Sequence, residues 1–344
     1  MYEKPVTLKD VAERSDFSLR TVKKVMSGDK TVRPETRENV LNAARELGYK
    51  KNIAASVLAA NKILNIAIVM GDYRYFFPEA KRGFQACHKT WIGMKVRIEF
   101  LLPADKTLEA AKEILKMILR DEKYDAVIMH ASSMSGLNSE INALVESGKA
   151  VCTYGADAPG SKRLFYVGPR AYESGRIAAQ VLANYIKGSG TVYLFNPPQE
   201  EMQTVDRVRG VLDYLKEVHP EIKIQQIFIR NGAEEYHQKV AELMRLSDVA
   251  GIIGTDADSY IIGEETQKAG RQDIVSVGFD LSEDAARLMR EGYFRIILDQ
   301  NPERQATIAL DSLCRYLLYH TKVKNVFTDV EIVTSEVLRY KETS

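Results

Sequence analysis

The sequence contains no run of the roughly 20 apolar residues that crossing a bilayer requires. Its first residues, MYEKPVTLKD, include no apolar segment of the kind that a secretory signal carries. Cysteine is scarce, and Cys87, Cys152 and Cys314 lack the spacing of metal ligands, so we expect buried, reduced thiols. These absences favour a cytoplasmic protein without a membrane partner.

The common catalytic signatures are missing as well. The sequence has no G-x-S-x-G, no H-E-x-x-H, no phosphate-binding P-loop and no glycine fingerprint of a dinucleotide site. Its five histidines are dispersed, with no carboxylate or cysteine at metal-ligand spacing. We therefore expect no enzyme, no cofactor and no bound metal.

The charge is distributed unevenly along the 344 residues, a length that favours two or three domains. Residues 1–62 contain thirteen Lys or Arg and eight Asp or Glu, a balance of +5, whereas the whole chain carries only +1. A basic N-terminal segment followed by an acidic remainder indicates that only residues 1–62 bind a polyanion. A solvated helical surface would give the same charge balance.

The first fifty residues have the pattern of three short helices. Thr7 and Asp10 are spaced as a capping box, Ser18 suits the start of a second helix, and Pro34 suits the first turn of a third. Apolar residues recur at helical spacing in each segment: Leu8, Val11 and Ala12; Val22, Val25 and Met26; Val40, Leu41, Ala44 and Leu47. This arrangement predicts a helix-turn-helix unit, whose second helix enters the major groove of DNA.

The outward positions of the second helix are Leu19, Arg20, Lys23 and Lys24. Arg and Lys pair with guanine edges or with phosphates, and Leu can contact a thymine methyl group. A small helical bundle with a solvated basic face is the alternative at this point.

A family resemblance favours the DNA-binding interpretation. The order and spacing of four segments resemble the headpiece of LacI/GalR-family repressors: Val6-Thr7-Leu8-Lys9-Asp10-Val11-Ala12, Ser18-x-x-Thr21-Val22, Val32-x-Pro34-x-Thr36-Arg37-x-x-Val40 and Leu47-Gly48-Tyr49-x-x-Asn52. The resemblance implies base contacts by Leu19, Arg20 and Lys24. It implies backbone contacts by Thr7, Ser18, Thr21, Thr36 and Asn52. Two departures, Asp16 for the usual Gly and Lys23 for the usual Ser, leave the operator sequence open.

Residues 52–60 form a short, small-residue segment that is too short to be a stable helix alone. In the family this segment folds as a helix that pairs with the same helix of the second subunit, and a Leu beside Ala inserts into the minor groove. The resemblance places Ala55 and Leu58 at that DNA contact; an ordinary linker is the alternative. We therefore expect a headpiece at 1–51, a hinge at 52–62 and an effector-binding and dimerisation domain at 63–344.

From residue 65 onward, apolar strands alternate with amphipathic helices, and the pattern restarts with a helix at 171–187 after Pro159-Gly160. Such alternation predicts doubly wound parallel sheets in two lobes with a cleft between them. The body resembles the periplasmic-binding-protein-like sensor of the same family. The expected architecture is thus an all-α helix-turn-helix headpiece plus a two-lobed α/β domain, with lobe 1 at about 63–158 and 302–322 and lobe 2 at about 162–298 and 326–340.

The resemblance also implies a ring of ligand-binding residues, most of which follow strand ends, where open α/β sheets bind ligands. Phe76 and Phe77 match an aromatic pair that stacks on a sugar, and Arg207 matches an arginine that binds hydroxyl groups. The other expected members are Arg74, Asp157, Thr255, Asp256, Asp280 and Gln300. Each of these side chains has an alternative as a core or surface residue.

Two arginines bear on the identity of the ligand. Arg74 and Arg170 replace residues that relatives usually have as Asn and Asp. Near a cleft they indicate an acidic or phosphorylated sugar, and the alternative is that each arginine lies at the surface. We expect a homodimeric regulator, most simply a repressor, without a terminal heptad repeat for tetramer formation. The alternative function is a sugar-binding receptor that does not bind DNA.

Overall fold

The computed structural model describes residues 7–26, 31–47, 63–70, 75–105, 107–131, 133, 135–186, 190–196, 202–230 and 232–343. The chain divides into two compact units, Met1–Ala60 and Asn61–Ser344. The proposed hinge at 52–62, with Asn52, Ala55 and Leu58, lies outside the described residues, as does Arg74. Those expectations remain predictions from the sequence.

The N-terminal unit contains α1 (Leu8–Ser15), α2 (Leu19–Met26) and α3 (Pro34–Glu46). Thr7 and Asp10 form the predicted capping box, in which the Thr7 backbone amide donates to the Asp10 carboxylate at 2.6 Å. The backbone amide of Thr21 donates to Ser18 Oγ at 3.1 Å, which caps α2, and Pro34 begins α3. The local signals for helix starts are therefore confirmed.

Small apolar side chains fill the core of this unit: Val11, Val22, Val25, Val40, Ala43 and Ala44. The turn between α1 and α2 contains Asp16 in the left-handed conformation (φ 56°), which Asp tolerates better than most residues. The prediction that Leu41 faces inward is wrong, because this side chain is 36% exposed and Ala43 occupies the buried position instead.

The second unit alternates strands and helices. Its strands are β1 (Leu64–Val69), β2 (Val96–Leu101), β3 (Ala126–Met129), β4 (Ala150–Tyr154), β5 (Phe165–Pro169), β6 (Thr191–Asn196), β7 (Lys223–Phe228), β8 (Val249–Gly254), β9 (Val275–Phe279), β10 (Ile296–Asp299), β11 (Val326–Thr328) and β12 (Glu331–Val333). Its helices are α4 (Phe76–Trp91), α5 (Leu108–Arg120), α6 (Asn138–Glu146), α7 (Ala171–Tyr185), α8 (Met202–Val218), α9 (Ala233–Leu243), α10 (Tyr260–Ala269), α11 (Glu283–Arg290), α12 (Pro302–Tyr319) and α13 (Ser335–Thr343).

The strands form two six-stranded sheets, one for each lobe. The first has the order β11-β5-β4-β3-β1-β2 and the second β12-β10-β9-β8-β6-β7. All pairings are parallel except the antiparallel pair β10–β12. The expected two-lobed, doubly wound architecture is confirmed, and the carboxyl ends of the parallel strands in each sheet share one edge.

The predicted lobe limits need correction. Residues 162–298 and 326–340 were predicted to belong to lobe 2, but β5 pairs with β4 in the first sheet, and β11 pairs with β5 at its edge. The chain therefore changes lobes after Pro169, after Asp299 and between Thr328 and Glu331. The strand β5 escaped prediction because its short sequence FYVGP contains Gly and Pro, which usually indicate a turn.

The three cysteines are buried, as expected from their apolar character. Within the described ranges, no helix has the length and apolarity needed to cross a membrane. Nor does this part of the chain contain a group of three or more His, Cys, Asp or Glu side chains placed to hold a metal ion.

Candidate functional site

The exposed face of α2 carries the three basic residues predicted to contact DNA. Arg20, Lys23 and Lys24 are exposed, whereas Val22 and Val25 of the same helix are buried. The separation follows from helical periodicity, which places the two valines on the face that packs against α1 and α3. The basic side chains are thus available to a polyanion.

Hydroxyl groups border this face. Ser18 Oγ and Thr21 Oγ1 lie 2.9 Å apart in a mutual hydrogen bond, and Thr7 Oγ1 donates to Asp10 Oδ2 at 2.7 Å. Thr36 is half-buried in the first turn of α3, and Leu19 is half-buried at the start of α2. The Ser18–Thr21 bond uses the hydrogen of only one hydroxyl, so the other can donate to a phosphate oxygen, whereas the Thr7 hydroxyl donates to Asp10.

In lobe 2, Arg207 is the centre of a buried polar cluster. Its guanidinium donates to the Thr255 carbonyl oxygen at 2.9 Å and to Gln300 Oε1 at 3.1 Å. It also lies 3.9 Å from the centroid of the Phe279 ring. Gln300 Nε2 in turn donates to Asp280 Oδ1 at 2.6 Å. The structure therefore brings together Arg207, Thr255, Asp280 and Gln300 of the predicted ring.

Gln203, one turn before Arg207 on α8, joins this cluster and was missed by the sequence analysis. With its amide nitrogen toward lobe 1, it donates to the Gly155 carbonyl oxygen (3.2 Å) and accepts from Arg207 Nη2 (2.7 Å). Gln203 thereby connects the two lobes across the cleft. Its only sequence signal was the helical spacing of four residues from Arg207.

Asp256 follows β8 and adds a carboxylate beside this cluster. Its Oδ1 atom is buried and accepts no hydrogen bond from any residue that the structure describes. Burial, followed by the negative charge of Asp258, raises the pKa of the Asp256 carboxyl to about 7. Asn196 Oδ1 and the Tyr236 hydroxyl are likewise buried without a hydrogen-bond partner among the described residues. A ligand rich in hydroxyl groups offers donors and acceptors for such atoms.

Lobe 1 contributes an aromatic surface. Phe76 is buried, with its ring centroid 5.5 Å from His130 and 5.9 Å from Tyr154. Gly155 lies against these rings in the left-handed region (φ 70°), and a Cβ atom there would come within 2.8 Å of both Phe76 and His130. The absence of an Asp at position 155 therefore has a steric cause. His130, which follows β3, had no sequence signal for this role.

Two expected contributors, Phe77 and Asp157, lie elsewhere. Phe77 packs edge-on against Phe100, with Lys81 over its ring, because consecutive helical residues diverge by about 100°. Asp157 forms a half-buried ion pair with Arg163, Nη2 to Oδ2 at 2.5 Å, and accepts from Thr153. Its carboxylate is thus committed within lobe 1. The structure does not bring Phe77 or Asp157 to the Arg207 cluster.

Arg170 also lies apart from the Arg207 cluster. Its guanidinium is 4.5 Å from the centroid of the Phe327 ring, and the side chain is 60% exposed. The surface interpretation of Arg170 therefore fits the structure. Among the described residues of the predicted ring in lobe 2, two carry a carboxyl group, Asp256 and Asp280, and one, Arg207, carries a guanidinium.

Family comparisons match both units. Residues 66–320 match the family described as "Periplasmic binding protein domain". Residues 7–52 match the family described as "Bacterial regulatory proteins, lacI family". The first match covers most of the two-lobed unit, and the second covers the helix-turn-helix unit.

Individual relatives agree with these matches. The chain is 32% identical over 129 residues to the HTH-type transcriptional regulator RegA of Clostridium saccharobutylicum, an alignment that covers 37% of each protein. It is 24% identical over 271 residues to catabolite control protein A of Staphylococcus epidermidis, covering 77% of this chain and 78% of that protein. A crystal structure of GanP, a glucose-galactose binding protein from Geobacillus stearothermophilus, superposes with a TM-score of 0.71 at 22% identity, covering 80% of this chain and 98% of GanP. This last likeness shows the fold of the body.

Proposed function

Because the chain belongs to the periplasmic binding protein domain family and carries a LacI-family headpiece, we propose that it is a sequence-specific DNA-binding transcription regulator whose operator affinity a sugar controls. The observation that carries the proposal is the presence of two sites in one chain. One is the exposed basic face of α2, and the other is the polar cluster around Arg207 at the strand ends of lobe 2. A receptor without DNA function has no use for the first.

The chemistry of the cleft favours a neutral sugar as effector. Asp280, Gln300 and Arg207 present acceptors and donors suited to hydroxyl groups, and Phe76 offers an apolar ring. An acidic or phosphorylated sugar would meet the Asp280 carboxylate, which lies within hydrogen-bond distance of Gln300 in the same cluster. Repulsion between like charges at short range disfavours such ligands.

The mechanism follows from the two-lobed architecture. A ligand that contacts both Phe76 of lobe 1 and Arg207 of lobe 2 stabilises the closed arrangement of the lobes. Its effect on DNA binding equals the difference between its affinities for the two states of the regulator. A homodimer presents two headpieces to a two-fold operator, which is the arrangement that repressors of this kind require. We place the protein in the cytoplasm, where its DNA target is, and assign it no catalytic activity.

A thermal-shift screen tests the proposal directly. Neutral pentoses, hexoses and cyclitols are compared with their phosphates. A ligand that binds the folded state raises the unfolding midpoint by an amount that grows with the logarithm of its concentration over Kd. We expect stabilisation by a neutral sugar and none by its phosphate. The same ligand should change the affinity of the full chain for operator fragments selected from random DNA. Stabilisation by phosphates alone would overturn the neutral-sugar assignment, and failure to select any DNA sequence would overturn the regulator assignment.

A further inference from the structure

A tyrosine of lobe 1 reaches a carboxylate of lobe 2. Tyr75, immediately before α4, donates a hydrogen bond from its hydroxyl to Asp284 Oδ2 at 2.6 Å. Asp284 belongs to the first turn of α11, on the far side of the cleft and 209 positions later in the sequence. A carboxylate acceptor makes this bond stronger than one between neutral groups.

The ring of the same residue also belongs to the contact. Tyr75 lies edge-on to Tyr260, with ring centroids 5.5 Å apart and an interplanar angle of 74°. It packs against the apolar cluster of lobe 2, which includes Tyr260. A side chain of lobe 1 is thus inserted into the margin of the lobe 2 core, and an aromatic pair of this geometry is itself stabilising.

Both contacts depend on how the lobes are arranged. Tyr75 follows β1 of the first sheet, whereas Asp284 and Tyr260 pack on the second sheet, and the chain joins the lobes only through short connections. When the lobes separate, the hydrogen bond and the ring contact are lost together. The contacts therefore stabilise the closed state selectively, which is the condition for shifting a conformational equilibrium.

We propose that Tyr75 and Asp284 form a latch between the lobes, which sets the fraction of closed protein before any effector binds. Tyr75 is a positioning residue for the sensor. The consequence for DNA binding rests on the proposed function, whereas the latch itself concerns the effector-free protein. A regulator with a stronger latch needs less binding energy from its effector to close.

Single-molecule fluorescence energy transfer in the effector-free full chain measures the ratio of open to closed molecules, which the latch is proposed to set. Dyes on Leu102→Cys and Phe228→Cys report the opening of the cleft, because these exposed positions lie at the carboxyl ends of the corresponding edge strands β2 and β7. The native cysteines are buried and compete little for the dyes. Tyr75→Phe removes one hydrogen bond and keeps the ring, so we expect the ratio of open to closed molecules to rise about threefold to tenfold.

Tyr172→Phe is the matched control. It removes another tyrosine–aspartate bond, from Tyr172 to Asp213 Oδ2 at 3.0 Å, but both partners of that bond lie in lobe 2. We expect no change in the open-to-closed ratio, although both variants lose a similar bond. Equal ratios in Tyr75→Phe and Tyr172→Phe would overturn the proposal.

A double-mutant cycle isolates the pair. Asp284→Ala should raise the open fraction as Tyr75→Phe does, and the double variant should open no further than either single variant. Additive effects would show that the two residues act separately and would also overturn the latch. Because no sugar or DNA is present, this outcome is independent of whether the effector assignment holds.

Discussion

Arg207 Nη2 lies 3.1 Å from Gln300 Oε1, although 93 positions separate the two residues in the sequence. Arg207 projects from α8, and Gln300 follows β10 at the edge of the second sheet. Gln300 Nε2 donates a hydrogen bond to Asp280, which follows β9. One chain of hydrogen bonds therefore links the ends of the neighbouring strands β9 and β10 to α8. Arg207, Gln300 and Asp280, which were predicted to bind the sugar, thus form one hydrogen-bonded unit.

Replacing Arg207 with Ala should lower effector affinity about tenfold to a hundredfold and leave DNA affinity without effector nearly unchanged. The substitution removes a donor to ligand hydroxyls and leaves Gln300 and the Thr255 carbonyl with one partner fewer, at a cost of about 1–3 kcal/mol. Calorimetric titration and operator binding measure the two affinities. Arg209→Ala is the control, because that side chain is 60% exposed and pairs with Asp206 at the surface. Equal losses in the two variants would remove Arg207 from the binding site.

Asp256 should make the effector-free protein less stable as the pH rises. Burial raises the pKa of its carboxyl to about 7 in the folded protein, against about 4 in the unfolded chain. The folded state thus binds the extra proton between these values, so the contribution of this carboxyl to stability is fully present below about pH 4 and is lost as the pH rises through 7. Asp256→Asn should be more stable than the native protein at pH 8 by about 1–3 kcal/mol, since one pKa unit corresponds to about 1.4 kcal/mol.

Urea unfolding of the two proteins between pH 5 and pH 8 measures this difference. The neutral amide has no carboxyl to ionise, so the curves should converge at low pH and separate at high pH. Glu109→Gln on the exposed face of α5 provides a control that should follow the native curve. A constant offset at all pH values would indicate a change in packing and would contradict the ionisation of Asp256 as its cause.

Gly155→Ala should destabilise the sensor and weaken effector binding. The new Cβ atom would lie 2.8 Å from Phe76 Cζ and from His130 Cδ2, and the backbone has φ 70°. Gly148→Ala is the control for the backbone conformation alone. Gly148 also has a positive φ (92°), but no heavy atom lies within 4 Å of its Cβ position, so the substitution causes no crowding. The backbone cost is about 1 kcal/mol in each, so the additional loss in Gly155→Ala measures the crowding. Equal unfolding midpoints for the two variants would mean that Phe76 and His130 give way freely.

Operator binding should depend steeply on salt and on the exposed face of α2. The balance of +5 in residues 1–62 predicts that affinity falls more than about tenfold between roughly 50 and 200 mM salt, because bound phosphates release counterions.

Arg20→Ala should cost about 1–3 kcal/mol of specific binding. Arg45→Ala on α3 removes the same charge from another exposed position of the headpiece and should cost less. Fluorescence anisotropy with selected and random DNA measures the specific and non-specific affinities of both variants. An equal loss of specific affinity in Arg20→Ala and Arg45→Ala would indicate that Arg20 acts through its charge alone.

The sequence by itself determined the helix starts of the headpiece. Thr7 with Asp10, Ser18 with Thr21, and Pro34 act within three or four residues of one another, so their spacing alone fixes the local hydrogen bonds and dihedral angles. The position of Arg207 was also predictable, because a family resemblance assigned it and the strand ends of a parallel sheet converge at one edge. Alternating apolar strands and amphipathic helices were enough to predict two doubly wound lobes.

Only the tertiary structure decided which side chains meet across the cleft. Tyr75 and Asp284 have no local relationship, and their contact depends on how two separately folded sheets face each other. The strand β5 is held in the first sheet by pairing with β4 and β11, an effect stronger than the turn preference of its Gly and Pro. Phe76 and Phe77 are chemically alike, yet only Phe76 lies against Gly155, because helical rotation and the packing of α4 choose between them. Such choices depend on contacts between residues distant in the chain, which local propensity does not contain.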